Sequence, residues 1–399
     1  MGVAYRPASF RVCWWLENLM KVFHIITGLN DGGAEAVLYR LCKHDQANHH
    51  HVVSLSGAGK YGPMLEALGV PVTTLNMSSG RPSPQAFFCL VRLLRREKPD
   101  VVQTWMYHGD LFGGLAARTA GIRSVIWGIH NTTLEIGKSS KTTIWITKVL
   151  AKLSWWLPAK IVVCAQRAMD VHAELGYDRS KMRFIPNGYD LADLQLGLDA
   201  QGEIKASLVL DQSIPLIGTV GRFDPQKDHS NLLDALAILR DRGLAFQCVL
   251  VGTGLDSSNA QIVDWIAQRG LVDHVTPLGR RNDIPKIMNA LDLHVLPSAY
   301  GEAFPNVVAE AMACGTPCAV TDVGDAAYIV GGTGWVVPPR DASALADAVA
   351  AALQDMIDSE LRSDRSSRAR SRIEEHFGIE RMVRRYENIW RESFNEREQ

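Results

Sequence analysis

Short β-branched runs alternate with longer amphipathic stretches along nearly the whole chain, and this alternation constrains the fold more than any other feature. Runs at 22–27, 51–55, 70–75, 101–104, 124–129, 161–164 and 182–185 are separated by segments with helical spacing such as 33–42 and 84–97. A chain that returns to β after each helix predicts parallel strands with helices on both faces of the sheet. Periodicity fails between about 191 and 212, and a second series follows at 216–220, 247–251, 275–278, 293–296, 317–320 and 334–336. The sequence therefore predicts two doubly wound, Rossmann-like α/β domains at 20–200 and 215–375, with a linker at 201–214. An amphipathic stretch at 380–394 comes after both sheets are complete, so 376–399 is expected to be an appended C-terminal helix packing back toward the first domain.

The 399 residues suffice for two or three domains with sizeable cores. Charge is unevenly spread: residues 1–200 carry 22 Lys and Arg against 15 Asp and Glu, and 201–399 carry 20 against 28. A mildly basic first half suits phosphates or an anionic surface, and the modest excess disfavours nucleic acid as a partner. The seven cysteines include no C-x-x-C pair and mostly sit in apolar runs, which fits buried thiols in a reducing cytoplasm. Cys314 and Cys318 have no nearby histidine cluster to complete a zinc site, and His49–His51 reads as a solvated turn. No apolar segment is long enough to span a bilayer. Residues 1–19 are expected to be a disordered extension or to precede the true start at Met20; a membrane-touching arm carrying Trp14 and Trp15 is the alternative.

Ligands of doubly wound sheets bind beyond the carboxyl ends of the strands, so the residues after each strand carry the chemistry. After the first strand comes Gly28-Leu29-Asn30-Asp31-Gly32-Gly33-Ala34-Glu35, a turn that lets a helix N-terminus approach an anion. It lacks the pattern of a P-loop or of a dinucleotide site, and a plain strand-to-helix turn with Glu35 at the positive helix end explains it as well. The second domain opens with Arg222 and Lys227, a guanidinium and an ammonium able to neutralise a diphosphate, or else two solvated loop charges. The most informative segment is Gly301-Glu302-Ala303-Phe304-Pro305-Asn306-Val307-Val308-Ala309-Glu310. Pro305 suits a first helical turn, leaving the amides of Asn306 and Val307 free for a ligand oxygen. Glu302 and Glu310 can border one cleft as acceptors for sugar or ribose hydroxyls, although Glu310 paired to an arginine is the structural alternative.

Together these motifs resemble glycosyltransferase family 4, retaining enzymes of the two-domain GT-B fold, from Met20 to the C-terminus. The family's E-x7-E matches Glu302 and Glu310, its R-x4-K matches Arg222 and Lys227, and its glycine loop matches Gly32 and Gly33. Thr104-Trp105-Met106-Tyr107-His108-Gly109-Asp110 and Ile185-Pro186-Asn187-Gly188 are similar to the subgroup that builds O-antigen and related surface polysaccharides. The resemblance implies that Arg222 and Lys227 hold the donor diphosphate, Glu310 the ribose, and Glu302 with the amides of Phe304, Pro305's successor Asn306 and Val307 the transferred sugar. It puts Gly252, Gly254 and Arg280 beside the nucleoside, Gly33 by the phosphates and His130 near the reacting sugar. Gly32, Glu35, Trp105 and His108 fall on the acceptor side. The family often has His-Asp where this chain has His130-Asn131, which leaves position 131 without an assigned role, and Pro305 replaces a glycine seen in some members.

No two aspartates are separated by a single residue, so the D-x-D metal bridge of other glycosyltransferases is missing; metal-independent catalysis with no cofactor is expected. Residues 138–160 interleave Lys138, Lys141, Lys148, Lys152 and Lys160 with Trp145, Trp155 and Trp156. Such a helix suits either an anionic membrane, at the cytoplasmic face, or a core-packed helix with a lysine edge. The sequence reads as a transferase moving a sugar from a nucleotide-diphosphate donor to a lipid-linked saccharide of lipopolysaccharide O-antigen or exopolysaccharide. A nucleotide-sugar epimerase on the same fold, or a noncatalytic scaffold that binds nucleotide sugars, are the alternatives.

Overall fold

The computed structural model describes residues 19–77, 83–131, 141–194, 200–208 and 210–396. The first half contains β1 (Lys21–Ile26), α1 (Gly33–His44), β2 (His49–Ser54), α2 (Tyr61–Ala67), β3 (Val72–Thr74), α3 (Pro84–Glu97), β4 (Val101–Trp105), α4 (Met106–Thr119), β5 (Val125–Ile129), α5 (Lys141–Leu153), β6 (Lys160–Val163), α6 (Gln166–Glu174) and β7 (Met182–Phe184). After α7 (Ala200–Ser207) come β8 (Leu216–Val220), α8 (His229–Asp241), β9 (Gln247–Val251), α9 (Ala260–Gln268), β10 (Val275–Gly279), α10 (Ile284–Ala290), β11 (Leu293–Leu296), α11 (Asn306–Ala313), β12 (Cys318–Thr321), α12 (Ala326–Val330), β13 (Trp335–Val337), α13 (Ala342–Asp355), α14 (Ser359–Phe377) and α15 (Ile379–Asn395).

Every strand inferred from the β-branched runs is present, and the strands form two all-parallel sheets ordered β3-β2-β1-β4-β5-β6-β7 and β10-β9-β8-β11-β12-β13. The central strands are buried along their whole length, as β4, β5 and β8 show, because helices cover both faces. In each sheet the order reverses beside the first strand, between β1 and β4 and between β8 and β11. The loops leaving those four strands therefore splay apart and open a crevice at the carboxyl edge.

Two elements differ from the periodicity reading. The stretch 191–212 includes α7, a short helix that packs on α10. His49–His51 is not a turn but the start of β2, with His50 buried. At the C-terminus, α14 packs on α11, the chain turns at Gly378, and α15 crosses to the first sheet to contact α1, β4 and β5. Ile379, Met382, Tyr386 and Trp390 make its buried stripe, and Trp390 Nε1 donates to Gln103 Oε1 at 3.2 Å. Residues 1–18 and Lys138 lie outside the described residues. Among the described residues, no helix is long and apolar enough to cross a membrane.

Candidate active site

The second-domain wall is built by the loops after β8 and β11. Asp224 accepts from the amide of Gln226 and so fixes the tight turn that carries Lys227. Ala299 N donates to Gln226 O, tying the two loops together. Lys227 Nζ then donates to Glu302 Oε1 at 2.6 Å, and Ser298 Oγ donates to the same oxygen at 2.6 Å. Glu302 is almost wholly buried, a position that a carboxylate tolerates only with such partners. Gly324, at φ 60°, lets the next loop pass under it, since a Cβ there would collide with the carbonyl oxygen of Glu302. Arg222 is more exposed, with Nε on Asp224 Oδ2 at 3.0 Å and Nη2 on Gln226.

Across the crevice, the N-termini of α1 and α11 meet. A Cβ on Gly33 would lie 3.1 Å from Asn306 Nδ2, which leaves no space for a larger residue without a shift. Asn306 Oδ1 accepts from Asn187 Nδ2 at 2.9 Å and from Tyr189 Oη at 2.5 Å, so the first turn of α11 is fastened to the first domain. Two helix starts facing one point, one of them with glycine backbone, give an anion a set of unspent amides and two favourable dipoles. One turn further along α11, Glu310 Oε1 stands 3.6 Å from Arg40 Nη1 of α1. Burial raises the Glu310 pKa, opposed by Arg40. Arg280 Nη2 donates to Asp31 Oδ2 at 2.8 Å, closing a further bridge between the domains, and Asp31 also holds Lys60 at 2.7 Å. Asp325 makes another: its carboxylate accepts from the amides of Gln166 and Arg167 at 2.6 and 3.0 Å, capping α6 from the opposite domain.

The first-domain wall carries His130 after β5, stacked on the Trp105 ring at 5.0 Å and 20° between planes. Burial pushes the His130 pKa down to about 4, so the ring is a neutral imidazole at pH 7. Trp105 itself is fully buried, and so supports His130 from below rather than reaching an acceptor; this corrects its assignment to the acceptor surface. Its Nε1 donates to His24 Nδ1 at 3.2 Å. That bond fixes the His24 tautomer with the proton on Nε2, which faces His50 Nδ1 at 2.9 Å, and His50 Nε2 faces Asp45 Oδ2 at 3.1 Å. Cys42 completes a group of potential metal ligands with His24 and His50. The tautomers do not suit a metal, because His24 Nε2 carries the proton of the chain instead of a lone pair. His108, on α4, is half-buried, and burial lowers its pKa. Met106, between Trp105 and His108, takes φ 63° to make the abrupt strand-to-helix turn.

Other assignments shift in detail. Pro305 is the N-cap residue of α11, with Asn306 the first helical residue. Phe304 turns its ring inward against Phe377 at 5.5 Å, so only its backbone faces the cleft loop. Gly252 and Gly254 have positive φ and pack loop on loop: side chains there would strike Gly221 O and crowd Phe223. The Glu35 carboxylate folds over Gly32, where burial raises its pKa. The basic aromatic stretch loses Lys160, which is buried between Glu392 and Glu396 at 2.7 Å from each. No sequence motif marks Arg40, Tyr189, Ser298 or Asp325. For Arg40 a signal existed, since it lies seven residues after Gly33 and hence on the same helical face.

Two parallel α/β domains with their switch-point loops facing across a cleft define the GT-B class. The family description Glycosyltransferase Family 4 matches residues 31–193, and Glycosyl transferases group 1 matches residues 200–372. This chain belongs to the family 4, group 1 glycosyltransferases and is a glycosyltransferase. It is 29% identical over 309 residues to the EpsF protein of Bacillus subtilis, covering 76% of this chain and 79% of that one. It is 27% identical over 339 residues to the UDP-Gal:alpha-D-GlcNAc-diphosphoundecaprenol alpha-1,3-galactosyltransferase of Escherichia coli, covering 82% and 84%. The crystal structure of Anabaena HepE in complex with UDP superposes with TM-score 0.81 at 22% identity, over 92% of this chain and 99% of that one.

Proposed function

We propose that this chain is a retaining, metal-independent transferase that moves a sugar from a nucleoside-diphosphate sugar to a lipid-linked saccharide of a surface polysaccharide, O-antigen or exopolysaccharide. The observation that carries the reading is the Lys227–Glu302 pair in the loop ahead of α11, with Gly33 of the first domain brought up against Asn306 at the start of that helix. The diphosphate takes up negative charge as its bond to the sugar breaks. Lys227, Arg222 and the amides at the start of α11 stabilise that charge more in the transition state than in the bound donor. Glu302 would exchange Lys227 for sugar hydroxyls, and neutral His130, held flat on Trp105, would offer a hydrogen bond to the sugar from the first domain.

The acceptor reading draws on the Escherichia coli relative, whose name specifies an undecaprenol diphosphate-linked acceptor. The surface supports it. Lys141, Trp145, Lys148 and Lys152 form the exposed stripe of α5, continued by exposed Trp155 and Trp156, while Ile146, Leu150 and Ala151 face the core. Helix α3, in the same layer through α4, exposes Phe88 with Arg92, Arg95 and Arg96. Aromatics among cations suit the headgroup region of an anionic bilayer. The reading is tested by incubating the protein with a panel of UDP- and GDP-sugars and an undecaprenyl diphosphate-linked saccharide in EDTA. Transfer with retained anomeric configuration supports it, and an inverted product or an absolute metal requirement refutes it.

A further inference from the structure

Arg40 projects from α1 toward Glu310 of α11. Its guanidinium lies over the Tyr189 ring at 4.7 Å, with Nη1 3.6 Å from Glu310 Oε1. Its Nε and Nη2 are buried without a hydrogen-bond partner. Arg40, Lys60 and Tyr189 face Asn282, Met288 and Glu310 around a cavity of about 320 Å³. Tyr189 is itself fixed by its bond to Asn306. A guanidinium held on a ring, too far from its carboxylate for a good hydrogen bond and with two donors unspent, is a poor arrangement for stability alone. It is a good arrangement for a ligand that brings both donors and acceptors to the space beside Glu310.

We propose that Arg40 is a donor-binding residue contributed by the first domain: the ribose diol gives its hydroxyl protons to Glu310 and, once the guanidinium turns toward the cavity, accepts from Arg40. This rests on the assignment of Glu310 to the ribose. The nucleoside is then gripped by both domains, and donor binding favours the closed cleft. Arg40 also supplies the counter-charge to Glu310. The other titratable groups around that carboxylate are Lys60, Tyr61 and Tyr189 from the first domain, Asp190 and Asp193 across the same cavity, and Cys314 at the end of its own helix, with Arg370 of α14 beside Cys314. Of these, Arg40 acts most strongly against the burial that raises the Glu310 pKa.

The test is calorimetric titration of UDP and GDP, and of the 2′,3′-dideoxy form of whichever binds, into wild type, Arg40→Met, Arg40→Lys and Glu310→Gln. Arg40→Met is expected to weaken the ribonucleotide about tenfold, as the loss of a charged hydrogen bond does, and the dideoxy form hardly at all. Its ribonucleotide affinity should also fall at a higher pH than that of wild type as Glu310 takes up a proton. Arg40→Lys should recover part of the loss. Equal weakening of both nucleotides, or of neither, overturns the proposal. If Glu310→Gln keeps the wild-type preference for ribose over dideoxyribose, the Glu310 assignment fails first, and that result stands apart from any behaviour of Arg40. Thermal midpoints without nucleotide separate misfolded variants from these outcomes.

Discussion

Lys227 Nζ and Glu302 Oε1 lie 2.6 Å apart, joining the loop after β8 to the loop that leads from β11 into α11. The side chains are 13% and 8% exposed, so the pair is held away from water and its loss is costly. Lys227→Met should lower stability by about 3 kcal/mol and kcat/KM by about 10²–10³-fold. The double variant Lys227→Met/Glu302→Gln should be more stable than Lys227→Met alone, because no buried charge is left without its cation. Denaturant titration of wild type, both single variants and the double variant checks the order, and additive losses would show that the two residues do not act as a pair.

Burial pushes the pKa of His130, His172 and His229 down to about 4, and that of His294 to about 3, from an ordinary value of 6.5. These rings stay neutral in the folded chain while the unfolded chain takes up protons below pH 6.5. Their contribution is therefore intact above pH 6.5 and is lost as pH falls through 6.5 toward 4. The thermal midpoint should drop steadily from pH 7 to pH 5. His294→Leu should flatten that slope by about one proton, since neither of its ring nitrogens has a partner to lose. A midpoint unchanged across this window would contradict the burial assigned to these rings.

The imidazole of His130 rests on Trp105, whose Nε1 is bonded to His24. Trp105→Leu removes the platform without touching the cleft surface. It should reduce kcat more than it raises the KM for donor, with nucleoside-diphosphate affinity unchanged. An unchanged kcat in a folded Trp105→Leu protein would mean that His130 needs no such support.

Asp325 caps α6 from across the domain boundary. Asp325→Ala should cost about 1–2 kcal/mol, the worth of an N-cap carboxylate, and should separate the unfolding of the two domains in scanning calorimetry. A single transition at the wild-type midpoint would show that the contact contributes nothing.

The exposed tryptophans give a direct prediction for membranes. Trp145→Ser/Trp155→Ser/Trp156→Ser should reduce sedimentation with vesicles rich in phosphatidylglycerol, and raised salt should weaken what binding is left. Binding of wild type to neutral and anionic vesicles alike would argue against the lysine stripe as its cause.

Much of this architecture was legible because central strands buried on both faces leave continuous β-branched runs, while partly buried strands such as β3, β7 and β13 are marked by their place in the alternation with helices. The loop motifs were legible for a related reason: glycine, proline and paired charges directly after a strand mark the crevice edge. What could not be read were contacts between residues far apart in sequence. Arg40 and Glu310 are ordinary helical residues until α1 and α11 are set side by side, and Asp325 caps a helix 159 residues earlier in the chain. Trp105 illustrates the converse. Its place in a motif after β4 suggested surface contact, but the strand it ends is central, and α15 covers it through Tyr386. Lys160 reads as a surface cation for the same reason, since its acidic partners belong to the last helix.

On the proposed function, the second domain holds a nucleoside diphosphate through Lys227 with no need for a metal ion. Isothermal titration of UDP, GDP and ADP in EDTA, into wild type and Lys227→Ala, tests it most directly. The account predicts that one nucleotide binds wild type in the presence of EDTA and that Lys227→Ala loses most of that affinity. Binding that is abolished by EDTA, or that is equal in the two proteins, would contradict it.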